Sequence, residues 1–231
     1  MSRGVLAIEA SQRDIGVAVI GADGTVHTAE PRGDPRERDL LLPAIEALCL
    51  EAGLAPTDLR AIAVSTGPGG FTGLRVSIAT AKGICEALGI PAIDVPSALV
   101  AAQGVVRSGA LQADGLVVAL AAKGEGCYAT RVGRSGGGAL VVEEERSVTA
   151  VEFAALSPRA VVADEHLPAP IREWCERTGV PIVAPRLDVR DCLALACERR
   201  ARGEVMDPLH LVPRYPREPE AVTLWRQRHG Q

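Results

Sequence analysis

The chain's 231 residues are 47% hydrophobic, enough to bury one continuous core or two small subdomains without staples, so disorder and a coiled coil are excluded for the whole. Lys+Arg at 25 against Asp+Glu at 29 leaves a net charge of -4, and aromatic residues are 3%; a stand-alone nucleic-acid binder, which needs a positive field and stacking platforms, is not expected. No run approaches the ~20 apolar residues of a membrane span, and Met1-Ser2-Arg3-Gly4 opens no signal-peptide layout, which predicts a soluble, cytoplasmic protein with no membrane partner.

Gly4 to Ala10 and Ile15 to Ile20 are apolar, rich in Val and Ile, and parted by the polar Ser11-Gln12-Arg13-Asp14, the pattern of a β-hairpin. Asp23-Gly24 then turns the chain into a third strand, Thr25 to Glu30, completing an antiparallel meander. From Asp34-Pro35 a helical pattern runs to Gly53 with Leu41, Ile45 and Leu48 on one face, and Pro43 kinks it or marks its true start. Leu59 to Ser65 suits a buried parallel strand. The Gly-rich turn Thr66 to Gly73 leads into a helix from Leu74 to Leu88, ended by Gly89, and then a short strand from Ile90 to Val95.

A second meander follows, with strands Leu116 to Ala121, Cys127 to Val132 and Ala139 to Arg146. Strand Ala160 to Ala163, a helix from Pro170 to Thr178, strand Pro181 to Ala184 and a helix from Val189 to Arg202 complete the series. The Pro-rich tail Pro208 to Pro219 reads as an extended strap. Both series repeat one order of elements. That predicts an α/β chain with a duplicated, ribonuclease H-like fold of two subdomains, residues 1–104 and 105–207, with residues 208–231 returning to the first.

The stretch from Ser65 to Arg75 ends a strand in four glycines and reopens as a helix. Amides at such a helix N-terminus can converge on an anion, making Gly69, Gly70, Thr72 and Arg75 candidate nucleotide or anion contacts. The competing reading is structural, since glycines admit positive φ and let a helix lie hard against a sheet. Neither the Lys-Ser/Thr of a P-loop nor the spacing of a dinucleotide fingerprint is present. His27, His166, His210 and His229 are too far apart for a helical His-x-x-x-His pair, so no metal site and no metal-dependent peptidase or transferase is expected. Ser11 and Thr72 have no sequence-adjacent His base and are explained by turn hydrogen bonds, which leaves no catalytic residue assigned. The six cysteines form no CxxC pair and sit among apolar residues, as buried free thiols do.

GPGGFTGLRVSIATAKGICEALGIPAIDVPS, from Gly67 to Ser97, resembles the signature of the bacterial TsaB (YeaZ) family. LAIEASQRDIGVAVI is similar to that family's opening hairpin, and Pro213-Arg214-Tyr215-Pro216-Arg217 to its C-terminal Pro-x-Tyr-x-Arg element. The resemblance implies the actin/Hsp70-like form of the duplicated fold and a non-catalytic role as partner of TsaD in making threonylcarbamoyladenosine (t6A) in tRNA. It implies TsaE in the same complex, tRNA met only through that complex, and a homodimer when the chain is alone. No cofactor is then held by the chain itself, with ATP or ADP at the complex interface. The first two helices become the partner surface, and Leu41, Ile45, Leu74, Ile78 and Ala81 its candidate contacts. The chain departs from the family in having Glu9 in place of Asp, Ala121-Ala122-Lys123 in place of Asp-Ala-Arg, and Arg36-Glu37-Arg38-Asp39 where a His is usual. The rival reading is a small-molecule kinase or ATPase of the same superfamily, with Glu9, Asp14 and Asp94 as carboxylates for magnesium.

Overall fold

A computed structural model describes residues 3–12, 14–31, 40–110, 114–123, 126–215, 225 and 228, with backbone alone for 121–123. The hairpin and meander form as their alternation predicts: β1 (Val5–Glu9) pairs antiparallel with β2 (Gly16–Ile20), and β2 with β3 (Val26–Ala29). At the β2–β3 turn Gly24 takes φ +86°, and Asp23 accepts from the Thr25 amide at 2.9 Å, an Asx turn that the Asp-Gly pair encodes. Helix α1 (Leu41–Glu51) leads to β4 (Ala61–Ser65), which lies parallel to β1 with Leu6 opposite Ile62. Helix α2 (Phe71–Leu88) and β5 (Ala92–Val95) follow, β5 parallel to β4. Helix α3 (Ser97–Arg107) closes the first series.

The second series repeats the first. Strands β6 (Leu116–Lys123), β7 (Gly126–Arg134) and β8 (Leu140–Val148) form an antiparallel meander. Helix α4 (Ala150–Ala155), β9 (Ala160–Ala163), α5 (Ala169–Thr178), β10 (Ile182–Val183) and α6 (Val189–Ala201) complete it. The strand orders β3-β2-β1-β4-β5 and β10-β9-β6-β7-β8 are the same topology written twice. Two such sheets with their helices are the duplicated, ribonuclease H-like α/β fold that the element order predicts, in the actin-like form that the resemblance implies.

Packing explains which faces are buried. Leu6 and Ile8 of β1 point to one side of the first sheet, where α1 and α2 cover them through Leu41, Ile45, Leu48, Ile78, Ala81 and Cys85. Val5 and Ala7 point to the other side, into an interior shared by both sheets, α3 and α6. Helices α4 and α5 cover the far face of the second sheet, where the fully buried Phe153 meets Trp174 edge-on at 6.1 Å. The two interior helices are exchanged: α6, from the second series, packs on the first sheet, and α3, from the first series, packs on the second. A bidentate ion pair from Arg107 of α3 to the buried Asp191 of α6, at 2.7 and 2.9 Å, ties them together.

Several expectations are corrected here. Helix α1 begins at Leu41, with Pro43 in its first turn where a missing N–H costs nothing; the Asp34-Pro35 start and Arg36–Asp39 lie outside the described residues. Helix α2 begins at Phe71, three residues early, because Gly70 caps it in extended geometry. Helices α3 and α4 were not predicted, and the boundary placed after residue 104 falls within α3. Most consequential, Leu41, Ile45, Leu74, Ile78 and Ala81 are each 6% exposed or less. They are core residues of this chain and cannot be partner contacts, since a helix stripe at i, i+3, i+4 spacing here faces the sheet. The six cysteines stand outside any disulfide, five of them buried, and burial pushes the Cys127 thiol up to about 12.

Candidate functional site

The first candidate is the glycine loop. Only Gly67 has positive φ, at +102°. Gly69 and Gly73 serve another purpose: a Cβ added to either would sit 2.3 Å from the backbone oxygen of Ser11 or Ala10, respectively. The first turn of α2 therefore lies hard on the tip of the β1–β2 hairpin. The Gly70 amide donates to the Ser11 carbonyl at 2.7 Å, and the Gly67 amide to Ser97 Oγ at 2.9 Å. Arg75 is also engaged, donating to the Tyr215 hydroxyl at 2.7 Å while stacking 3.6 Å over the Phe71 ring. Of the four candidate anion contacts, Gly69, Gly70 and Arg75 are thus held by the protein's own groups, and Thr72 stands exposed on the first turn. The loop's geometry is that of a clamp between strand and helix.

The second candidate is the outer surface of α1 and α2. Turning Leu41 and Ile45 inward leaves Leu42 and Leu50 outward, 50% and 80% exposed, on one row with Glu46. On α2 the outward residues are Val76, Ala79, Gly83 and Ala87, and a Cβ on Gly83 would meet nothing within 4 Å. Between the helices runs an apolar groove of about 660 Å³, walled by Leu42, Leu50, Leu54, Ile84, Ala87 and Leu88. Exposed leucines beside small residues form a surface on which another helix can approach closely. The five residues that the sequence offered as partner contacts lie on the opposite, buried faces of these two helices.

The third feature is the C-terminal strap. Met206 pairs with Ala92 along the edge of β5, residues Pro208–His210 make a 3-10 turn, and Leu211 is buried against the first sheet's outer core. At Arg214 the strap crosses the gap between the sheets. The guanidinium holds Asp94 of β5 through Nη2, Glu145 of β8 at 2.6 Å and Thr66 Oγ1 at 3.2 Å, while Thr66 donates to Asp94. Residues from 216 onward in the proposed strap, apart from 225 and 228, lie outside the described set. Asp94, a candidate magnesium ligand, is therefore half of an ion pair.

The fourth feature is a cleft of about 430 Å³ between the hairpin and the start of α6, lined by Glu9, Asp14, Thr28, Glu30, Asp188 and Arg190. Of its five charged residues four are acidic, the wrong sign for phosphate. Glu9 is 2% exposed, and burial raises its carboxyl above the ordinary carboxylate range against the pull of hydrogen bonds from Ser11. Ser11 gives Glu9 both its amide, at 2.8 Å, and its hydroxyl, so the serine is a structural partner of a buried carboxyl. His27, His166 and His210 lie in β3, before α5 and in the strap's 3-10 turn, well separated in the fold. The side chain of Ala121 is outside the described set.

Comparison with known proteins fits this architecture. Residues 36–188 match the family described as TsaD, tRNA N6-adenosine threonylcarbamoyltransferase. The tRNA threonylcarbamoyladenosine biosynthesis protein TsaB of Escherichia coli (strain K12) is 36% identical over 104 residues, 45% of this chain and 44% of that protein. The protein of the same name from Bacillus subtilis (strain 168) is 31% identical over 93 residues, 40% of this chain and 41% of that one. The chain thus spans less than half the length of these curated relatives. The solved structure of YeaZ from Pseudomonas aeruginosa superposes with a TM-score of 0.70 at 24% identity, covering 91% of this chain and 98% of that one, a likeness of fold.

Proposed function

We propose a function from one premise, that the chain belongs to the family of TsaD, tRNA N6-adenosine threonylcarbamoyltransferase, on its TsaB/YeaZ side. The chain acts in the synthesis of threonylcarbamoyladenosine in tRNA as a non-catalytic subunit that docks and supports TsaD. The observation that carries this reading is the outward row of Leu42 and Leu50 above a groove of about 660 Å³. Leu42, Leu50 and Val76 are 50%, 80% and 37% exposed, and burying what remains of them is worth roughly 2.5 to 5 kcal/mol at ~1.5 to 3 for a whole side chain. Association costs an estimated 4 to 15 kcal/mol, so a single charge in the seam decides the outcome. In the same reading a second copy covers the groove when TsaD is absent, TsaE joins the assembled complex, and tRNA and ATP or ADP are met at the joint with TsaD.

The test is to mix the purified chain with TsaD and follow association by size exclusion and calorimetry, then t6A formation in the reconstituted system. Wild-type chain should co-elute and support modification. Leu50→Asp should remain folded and lose both. Undiminished binding by that variant places the interface on another face.

A further inference from the structure

Glu9 ends β1 on the side of the sheet that meets α6, where the Cys192 thiol faces it. Its Oε1 accepts from the amide and the hydroxyl of Ser11. Its Oε2 is buried with no hydrogen-bond partner among the described residues; the nearby Ser65 hydroxyl favours the ionised form without reaching bonding geometry. Burying an acid with one oxygen unmet is unfavourable. What the arrangement secures in exchange is the shape of the hairpin tip. The Ser11 carbonyl that Glu9 thereby aims is the acceptor of the Gly70 amide, the N-cap of α2, and Gly69 and Gly73 lie directly against Ser11 and Ala10. The same carboxyl lines the cleft, on the opposite side of the sheet from the α1–α2 groove.

We propose that Glu9 is a positioning residue for helix α2, acting through Ser11 to couple the cleft to the docking face. The coupling is to partner binding only in so far as α1 and α2 are that face, and it rests on the preceding reading. The groups around Glu9 are Cys192 and Arg190 of α6, Asp188 that caps it, Asp14 of the hairpin tip, Glu30 after β3 and the Ser65 hydroxyl of β4. Burial opposes its ionisation, and the hydrogen bonds from Ser11, with the Ser65 hydroxyl, favour it. An ionised carboxylate accepts from Ser11 about twice as strongly as a neutral one, so the hold on the first turn of α2 tightens as pH rises through the folded value.

The experiment measures TsaD affinity between about pH 5 and 8 for wild type, Glu9→Gln and Ser11→Ala, with Leu50→Asp as the control for the docking face. In parallel, amide hydrogen exchange is followed at Gly70 to Leu74 in the chain alone. We expect Glu9→Gln and Ser11→Ala each to weaken binding about tenfold, the size one well-placed hydrogen bond carries. Glu9→Gln should also abolish the rise of affinity with pH, and exchange at Gly70 to Leu74 should quicken in both variants while Ala81 to Cys85 stays protected. Unchanged exchange at Gly70 to Leu74 overturns the proposal, whatever binding does. Wild-type affinity and pH profile in Glu9→Gln, with Leu50→Asp inactive, overturns the coupling and spares the docking reading. Full binding by Leu50→Asp overturns the docking reading, while quickened exchange still upholds the role of Glu9 in placing α2.

Discussion

Two glycines on one helix should respond to alanine with opposite signs. Gly73 lies in the first turn of α2, where an added Cβ would stand 2.3 Å from the Ala10 backbone oxygen. Real Cβ atoms keep at least 3.0 Å, so the helix or the strand must give way by 3.0 − 2.3 = 0.7 Å or more, and both are backbone in a packed layer. Overpacking of this kind costs about 1 to 3 kcal/mol, while alanine returns at most about 1 kcal/mol of helix propensity. Gly83, nearly three turns on, meets nothing within 4 Å and keeps the whole propensity gain. For a chain of this size 1 kcal/mol moves Tm by about 2 to 4 °C. Scanning calorimetry should therefore show Gly73→Ala melting roughly 2 to 4 °C below wild type and Gly83→Ala about as far above it. If both variants melt higher, close approach is not why position 73 is glycine, and the clamp between the hairpin tip and α2 is wrongly described.

Ile78→Asp and Ala81→Asp bury a charge in the core under α2, a loss of several kcal/mol, and circular dichroism should find them unfolded where Leu50→Asp is native. Arg214→Met leaves the Asp94 and Glu145 carboxylates facing each other without their cation. With Arg214 30% exposed, urea unfolding should record a loss of about 1 to 3 kcal/mol, and an unchanged midpoint would remove the strap as a link between sheets. The folded Glu9 carboxyl holds its proton to higher pH than the unfolded one, whose ordinary value is 4.5. Its contribution to stability is therefore fully present below that pH and is lost as pH climbs to the folded value; Glu9→Gln should flatten this decline in a pH series of melts.

Both meanders and the repeated order of elements were legible because alternation, Asp-Gly and Gly89 are local signals. Helix α3 was not, for a physical reason. Eight of its eleven residues are buried, by the second sheet on one side and α6 on the other, so no polar stripe reveals its period. Pro96 caps it without a side-chain bond. Helix α4 is only six residues, too short to show a period, and the capping box of Thr149 and Glu152 that opens it is its one local signal. The stripe Leu41–Ile45–Leu48 was visible, but periodicity states which residues share a face and is silent on which way that face turns. The Arg214 contacts join residues 69 and 120 positions apart, beyond the reach of any window along the chain.

The exchange of α3 and α6 makes each repeat depend on the other. Each repeat carries a sheet whose inner surface is roofed by a helix belonging to its twin. A lone repeat, translated by itself, would leave Val5, Ala7, Ala61, Ala63 and Ile93 bare to water while its own last helix reached outward for a surface it did not possess. Such a molecule has one simple way to close, which is to trade helices with an identical copy. In this chain the trade is made between two halves of one molecule, and the link through Arg107 and Asp191 ties the exchanged helices to each other.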